Sequence, residues 1–449
     1  MKTRFLFFGL YLMHLSTTAQ NETRNWCFSY GQHIYFDTSS VQILPNCSIT
    51  GEPASCISDS SGNLLFYTNG ETVWNKLNNV IQNGSGLHGS FSATQCLIVK
   101  QPLSDSLYYV FYADGWGGSS GANYAIVDIS QNDGLGAVIS KNNLLFTPSS
   151  EKFSAIKNTN DIDIWVMTRT VNPPVFKAYS LTGSGLNTTP VISYDATSEN
   201  TGIGQMKFSH DGTMLALGIT DMSQYELLYF DASTGLLSNP KLSNVFPFFG
   251  GGVTYGVEFS PNDNILYGAL TLPPVLLKFD LTSGGNLLLN YTVIDTSSSS
   301  TLGSLQLAID GNIYLGRNDS RYLGVIHNPN SWTLSNYVDD GLALNNTTSR
   351  TLPNFEQSLL RKEKPSIKHP PMQENFLIYP NPFEQDININ GSYEILEVTV
   401  NDLFGRTVFS KQFSKSDMSK VELNYLPSGL YLISILSNHQ RVSKLIQKK

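Results

Sequence analysis

Apolar and polar residues alternate along most of the chain in short runs, and the runs come in pairs joined by Asp, Asn and Gly. A period of two marks strands with one face buried, so the chain reads as strand and turn nearly throughout. The pairing is clearest in SCISDSSGNLLFYTN (55–69), MKFSHDGTMLALGIT (206–220), VEFSPNDNILYGALT (257–271) and LQLAIDGNIYLGRND (305–319). Residues 96–114 and 153–170 are weaker copies. With Asp59, Asp105, Asn160, Asp211, Asp263 and Asp310 as markers, the successive spacings are 46, 55, 51, 52 and 47. A third strand follows each pair, as in 226–233 and 276–283, and then a shorter fourth. Four antiparallel strands every 40–50 residues or so is the repeat of a propeller blade.

The ends of the repeat region suggest how it closes. Residues 25–44 read as three strands lacking a first, and 349–357 read as one strand lacking partners. Joining them makes a seventh blade, which removes the sheet edges an open array would expose. The expected fold is therefore all-β: a seven-bladed β-propeller over 21–360, its last blade closed by N- and C-terminal strands. A six-bladed ring with an N-terminal arm is the alternative.

Composition and charge narrow the class. Charged residues make up 14% of the chain, well below the roughly 25% of an average domain, leaving too few to cover the outer faces of long helices. With 41% hydrophobic residues the chain has ample surface to bury, which disfavours disorder. The net charge of −8 excludes the basic footprint of non-specific nucleic-acid binding. Residues 21–360 alone carry 14 basic and 27 acidic residues, so the acidity belongs to the repeats.

Residues 1–19 have the form of a signal peptide: Lys2 and Arg4, an apolar run from Phe5 to Leu15, then Thr17 and Ala19 at the spacing a signal peptidase reads. Cleavage between Ala19 and Gln20 is expected. The run is short of the ~20 residues that span a bilayer, and no later segment is long enough, so no transmembrane span is expected. Cys27, Cys47, Cys56 and Cys96 fit an oxidising compartment as disulfides, in any of three pairings, with free buried thiols as the alternative. Residues 361–375, rich in Lys and Pro, have linker composition. Residues 376–449 return to alternating strands and read as a small β-sandwich.

Two resemblances attach to these segments. ISDSSGNLLFYTNGETVWN (57–75), the FSHDG and FSPND turns, YGVEFSP (255–261), LGVIHNPN (323–330) and TLPNF (351–355) resemble the exported, WD-repeat-like propeller proteins of Bacteroidetes-type bacteria. That resemblance implies architecture and compartment and supplies no ligand. The C-terminal segment closely resembles the type A sorting domain of the type IX secretion system. The matching positions are YPNP (Tyr379, Pro380, Asn381, Pro382), DLFGR with Asp402, Gly405 and Arg406, LPSGLYL with Gly429 and Tyr431, and the terminal KLIQKK. The resemblance implies delivery across the outer membrane of a Gram-negative bacterium, with the secretion machinery and a sortase-like peptidase as partners. The product would be secreted or held at the cell surface.

No HExxH, P-loop or CxxC is present. GGSSG (117–121) matches the form of a nucleophile elbow at Ser119, but it lies in a Gly-rich loop between strands, not in a strand-to-helix turn. DSSGN (59–63) lacks the carboxylate density of a calcium loop, so calcium is a candidate without a motif and no cofactor or metal site is expected. In a propeller, the loops between second and third strands and those linking blades open on one side. They bring Glu71, His88, Asp114, Trp116, Arg169, Asp221, Phe248, Phe249, Arg317 and Arg321 towards one rim. Aromatic and charged residues on loops over a rigid scaffold point to a binding face. The expected function is that of an exported, non-catalytic, monomeric binding or adhesion protein for an extracellular glycan or protein. The alternative is an exported polysaccharide- or peptide-degrading propeller enzyme with carboxylates drawn from different blades. Two carboxylates facing the channel would favour the enzyme, and an aliphatic channel the binder.

Overall fold

The computed structural model describes residues 21–37, 40–194, 201–243, 253–283, 287–296, 300–361, 376–391, 395–402, 406–413, 418–437 and 441–449. The signal segment with Ala19 and Gln20, Phe248, Phe249, Gly405 and nearly all of the linker lie outside them. The chain divides into two compact units, Met1–Glu363 and Lys364–Lys449.

The turns of the first unit form for the reason their composition suggests. Asp59 accepts hydrogen bonds from the amides of Ser61 (2.8 Å) and Asn63 (2.9 Å) while Gly62 takes φ +88°. Asp211 accepts from Thr213 N with Gly212 at +74°, and Asp310 accepts from Asn312 N with Gly311 at +85°. The carboxylate closes the turn, and glycine supplies the left-handed backbone at no steric cost.

The first sheet has three strands, Asn25–Phe28, Gln32–Phe36 and Val41–Ile43. The second has eight, made of two antiparallel halves (55–85 and 97–146) joined by one parallel pairing between Ala137 and Gln82. The third spans 154–194 in five strands. Three four-stranded sheets follow, over 206–242, 254–295 and 302–343. Innermost strands such as Ser55–Ser58, Thr254–Phe259 and Leu302–Leu307 are buried at every position. Outermost ones such as Val80–Ser85 and Asn336–Ala343 alternate or lie open.

Each sheet packs face to face on the next. Ile57 and Phe66 meet Ile98 and Tyr108 within the eight-stranded sheet, and Phe111 meets Phe153. Trp165 and Met167 pack with Phe208 and Leu215, and Ala216 and Tyr225 with Val257 and Phe259. Trp26 closes the series. It is fully buried, with Phe36 of its own sheet at 4.5 Å, Tyr314 of the sixth sheet at 5.6 Å and Phe355 at 6.1 Å between ring centroids. The last sheet thus meets the first, and the row of sheets closes on itself.

The expected closing strand at 349–357 forms no strand. The stretch runs without a ladder along the inner edges of the sheets and bonds to one after another. Arg350 O accepts from Ser304 N (2.7 Å), Ser349 N donates to Ser29 Oγ (2.7 Å), and Asn354 N donates to Ala54 O (2.9 Å). Asn354 Nδ2 then donates to Cys96 O and Phe153 O. A strand must pair along one edge, whereas these partners belong to five different parts of the ring, so register with any one is lost. The segment leaves so little room that a Cβ on Gly303 would lie 2.0 Å from Arg350 O.

All four cysteines are free and buried, so no disulfide joins them in this structure. Cys27 and Cys47 are hydrogen-bonded neighbours, Cys47 Sγ also donates to Gln32 O (3.1 Å), and Cys56 Sγ donates to Asn25 O (2.8 Å). These are small apolar core residues bonded to backbone carbonyls.

The second unit is two sheets, one of 376–379, 386–391 and 418–422 and the other of 407–412, 395–402, 429–437 and 441–448. Phe383, Ile389, Val398, Val400, Ile433 and Ile435 form their shared core. Among the described residues, no helix is long and apolar enough to cross a membrane.

Candidate functional site

The inner strands of the first unit place polar side chains around the ring axis, where they bond across it. Gln95 donates to Met206 O and accepts from Met206 N (3.0 Å), linking the eight-stranded sheet to the fourth. Gln205 Oε1 accepts from Val257 N and Leu305 N. Lys207 Nζ lies 3.2 Å from Glu258 Oε2 and also donates to Gln306 Oε1. Burial pulls the Lys207 ammonium below its usual range, and the Glu258 charge opposes that shift. His210 Nδ1 meets Asp263 Oδ1 at 2.8 Å, tying the hairpin turn of the fourth sheet to that of the fifth. Gln95, Gln205, Lys207, Glu258, Gln306 and Asn354 are each at most 2% exposed. Among the described residues, the axis is therefore lined neither by aliphatic side chains nor by paired carboxylates, but by a hydrogen-bonded polar plug.

The loops between second and third strands do meet the linking loops on one face, and most of their charged residues are used in holding them together. Glu71 Oε1 accepts from Phe91 N (3.1 Å), Asp221 accepts from Thr201 N and Oγ1, and Arg321 donates to Asn345 O (2.6 Å). Asp114 caps its own loop through Gly115 N and Ser120 N. His88 is exposed, with its amide on Asn142 Oδ1. Arg169 is fully buried over Phe176, and Arg317 is 2% exposed in ion pairs of 2.6 Å to Asp339 and Asp340. Both side chains are buried inside their sheets.

Trp116 differs from the rest. It is 64% exposed, yet its backbone sits at φ +59°, ψ +32°, and its amide donates to Glu151 Oε1 (2.8 Å). Glu151 is 1% exposed, and its other oxygen accepts from Thr94 N (2.7 Å) and Thr94 Oγ1 (2.8 Å). Burial raises its pKa above the usual carboxylate range, against the pull of those three bonds. Beside it, Arg350 pairs with Glu52 at 3.1 Å and lies 5.5 Å over the Tyr255 ring, whose hydroxyl burial also pushes up. Phe91, 63% exposed, stands on the neighbouring loop, where Ser90 Oγ lies 2.9 Å from the place a Cβ on Gly115 would take. Two exposed rings thus stand on loops over a polar cluster of Glu52, Glu151, Tyr255 and Arg350, of which Glu151 and Tyr255 are buried. Sequence reading found Trp116 and missed the other five, because nothing in their local spacing shows that they converge. Among the described residues, no group of three His, Cys, Asp or Glu could hold a metal ion.

In the second unit the motif residues clasp the chain end. Asn381 Oδ1 accepts from Gln447 N (2.8 Å), while Phe383 N donates to Gln447 O and Lys449 N to Phe383 O. Arg406 closes its turn on Asp402 through N (3.0 Å) and Nε (2.7 Å), and Tyr431 OH donates to Pro427 O (2.8 Å). Tyr379 is partly exposed.

Residues 377–449 match the family model described as the secretion system C-terminal sorting domain. Such a type IX domain directs export to the cell surface or medium and engages the secretion machinery. No curated protein matches the chain. Among solved structures, a candidate 6-phosphogluconolactonase of Bacteroides fragilis superposes with TM-score 0.51 at 9% identity, over 74% of this chain and 98% of that one. A candidate 6-phosphogluconolactonase of Bacteroides uniformis gives 0.46 at 10% identity over 74% and 98%. The periplasmic gluconolactonase of Pseudomonas aeruginosa gives 0.38 at 14% identity over 76% and 99%. At such identities the first likeness speaks to fold alone: the first unit is β-propeller-like.

Proposed function

We propose that residues 21–360 form a seven-bladed propeller of the WD-repeat-like, Bacteroidetes type, the eight-stranded sheet counting as two blades. It works as an exported, non-catalytic, monomeric binding protein. The loop face holds an extracellular glycan, with Trp116 and Phe91 as stacking surfaces and the Glu52–Arg350 pair as a polar edge. One observation carries this reading: a large aromatic side chain stays in solvent on a left-handed backbone, pinned by a buried carboxylate. Left-handed backbone is unfavourable for a bulky residue, and it persists where the surroundings hold a side chain for use. Glu151 supports binding over catalysis. Both of its oxygens already accept hydrogen bonds from Thr94 and Trp116, and at 1% exposure it offers a ligand no accessible acid or base.

The test is a glycan array followed by calorimetry on the purified protein. Trp116→Ala should weaken binding at least about tenfold with an unchanged melting temperature, and no product should form. Capture of a protein with no glycan bound would replace the ligand class. Reproducible turnover abolished by Glu151→Gln would replace the function with the enzymatic one.

A further inference from the structure

The face opposite the loops, where first and second strands turn, carries a cleft of about 650 Å³ that the proposed function does not use. That volume suits a small molecule. Its floor is aliphatic and aromatic, from Ile57, Ile98, Tyr108, Ile164 and Leu359, contributed by adjoining sheets and by residues 357–360. Two carboxyls reach it from opposite ends of the unit's sequence. Glu22 comes from the turn before the first strand, and Glu356 caps the short helix Gln357–Leu360 through Ser358 N (2.7 Å). Glu356 is 3% exposed. Glu22 Oε2 is buried and has no hydrogen-bond partner. The rim adds Asp59, Asp105 and Asp161 against Lys100 and Lys157, and Lys157 already pairs with Asp161 at 3.4 Å.

We propose that this cleft binds a small organic cation, an ammonium or guanidinium on an apolar body, with Glu22 and Glu356 receiving the charge and the floor receiving the body. The lining decides the sign: five carboxyls stand against two lysines, and Glu356, the one of these seven groups that is buried, is acidic. A buried carboxylate oxygen without a donor is the vacancy that an N–H of such a cation fills. The electrostatics of the cleft agree with this. Burial raises both carboxyls, Glu356 to about 7. Lys157 and Asp161 face Glu356, while Lys100, Asp59 and Lys157 face Glu22, and none of these overcomes the desolvation. An arriving cation takes the place of the proton, so binding near neutral pH releases protons.

Titration calorimetry of the purified protein with benzylamine, in two buffers of different ionisation enthalpy at about pH 7, reads both affinity and proton release. Saturable binding with net proton release is expected. Glu22→Gln and Glu356→Gln should each weaken it about tenfold or more, and Glu356→Gln should also remove most of the proton release. Trp116→Ala on the other face should leave it unchanged. The proposal is overturned if neither benzylamine nor benzamidine binds saturably between about pH 6 and 8. It fails equally if both Gln variants, shown folded by their melting curves, bind as the parent does, or if phenylacetate binds more tightly than benzylamine.

Discussion

Glu356 is a single carboxyl whose environment sets a measurable property of the whole propeller-like unit. Burial lifts its pKa from 4.5 to about 7, against the hydrogen bond it accepts from Ser358. Between those values the folded chain keeps a proton that the unfolded chain has lost. Its contribution to stability is therefore complete below about pH 4.5 and is lost as the pH rises through about 7, a difference of roughly 3 kcal/mol at most. The urea midpoint should fall from about pH 5 to 8, and Glu356→Gln should flatten that slope. An equal slope in the variant would move the effect to other groups. At this scale the sequence is informative where chemistry is local. Asp59, Asp211 and Asp310 sit in the turns their spacing implies, because a carboxylate and the amides two residues on find each other without tertiary help. Glu151 and Arg169 show the opposite. One became a buried pin and the other an interior cation, and neither fate is visible in its neighbours along the chain.

The stretch 349–357 laces the inner edges of the sheets together, and Trp26 seats it. Trp26 touches its own sheet, the sixth sheet and Phe355 at once, so its removal opens a cavity where the ring closes. Trp26→Ala should destabilise the first unit by about 3–5 kcal/mol. Asn354→Ala, which strips amide bonds to Cys96 O and Phe153 O, should cost about 1–3 kcal/mol. Both are read from chemical denaturation, and a Trp26→Ala loss under about 1 kcal/mol would mean that closure rests elsewhere. The sequence showed that 349–357 had no sheet of its own, and pairing with the three N-terminal strands followed from that. Its actual partners are scattered over five parts of the ring, and no alternation pattern encodes contacts spread that way.

The whole molecule joins an acidic unit to a delivery unit. Residues 21–360 hold 14 basic and 27 acidic residues, whereas 376–449 hold eight and seven. Deleting 376–449 should hold the propeller-like unit in the periplasm, its surface and medium fractions falling to background on fractionation and immunoblotting. Undiminished delivery would refute the export route. Within the sorting unit, Asn381 and the terminal strand hold each other across 66 residues, which explains how motifs at both ends of the domain make one structure. The sequence by itself determined the strand-and-turn repeat, the division into repeat and sorting segments, and the export route, since periodicity, turn chemistry and short motifs are written in neighbouring residues. Only the tertiary structure decided that the axis is a polar plug, that the four cysteines are buried with Cys27 beside Cys47, and that one face carries Trp116 over Glu151 while the other carries Glu22 and Glu356 in a cleft. Each of those depends on side chains tens to hundreds of residues apart meeting as the sheets pack around one axis, and which atoms then meet is set by how the ring closes.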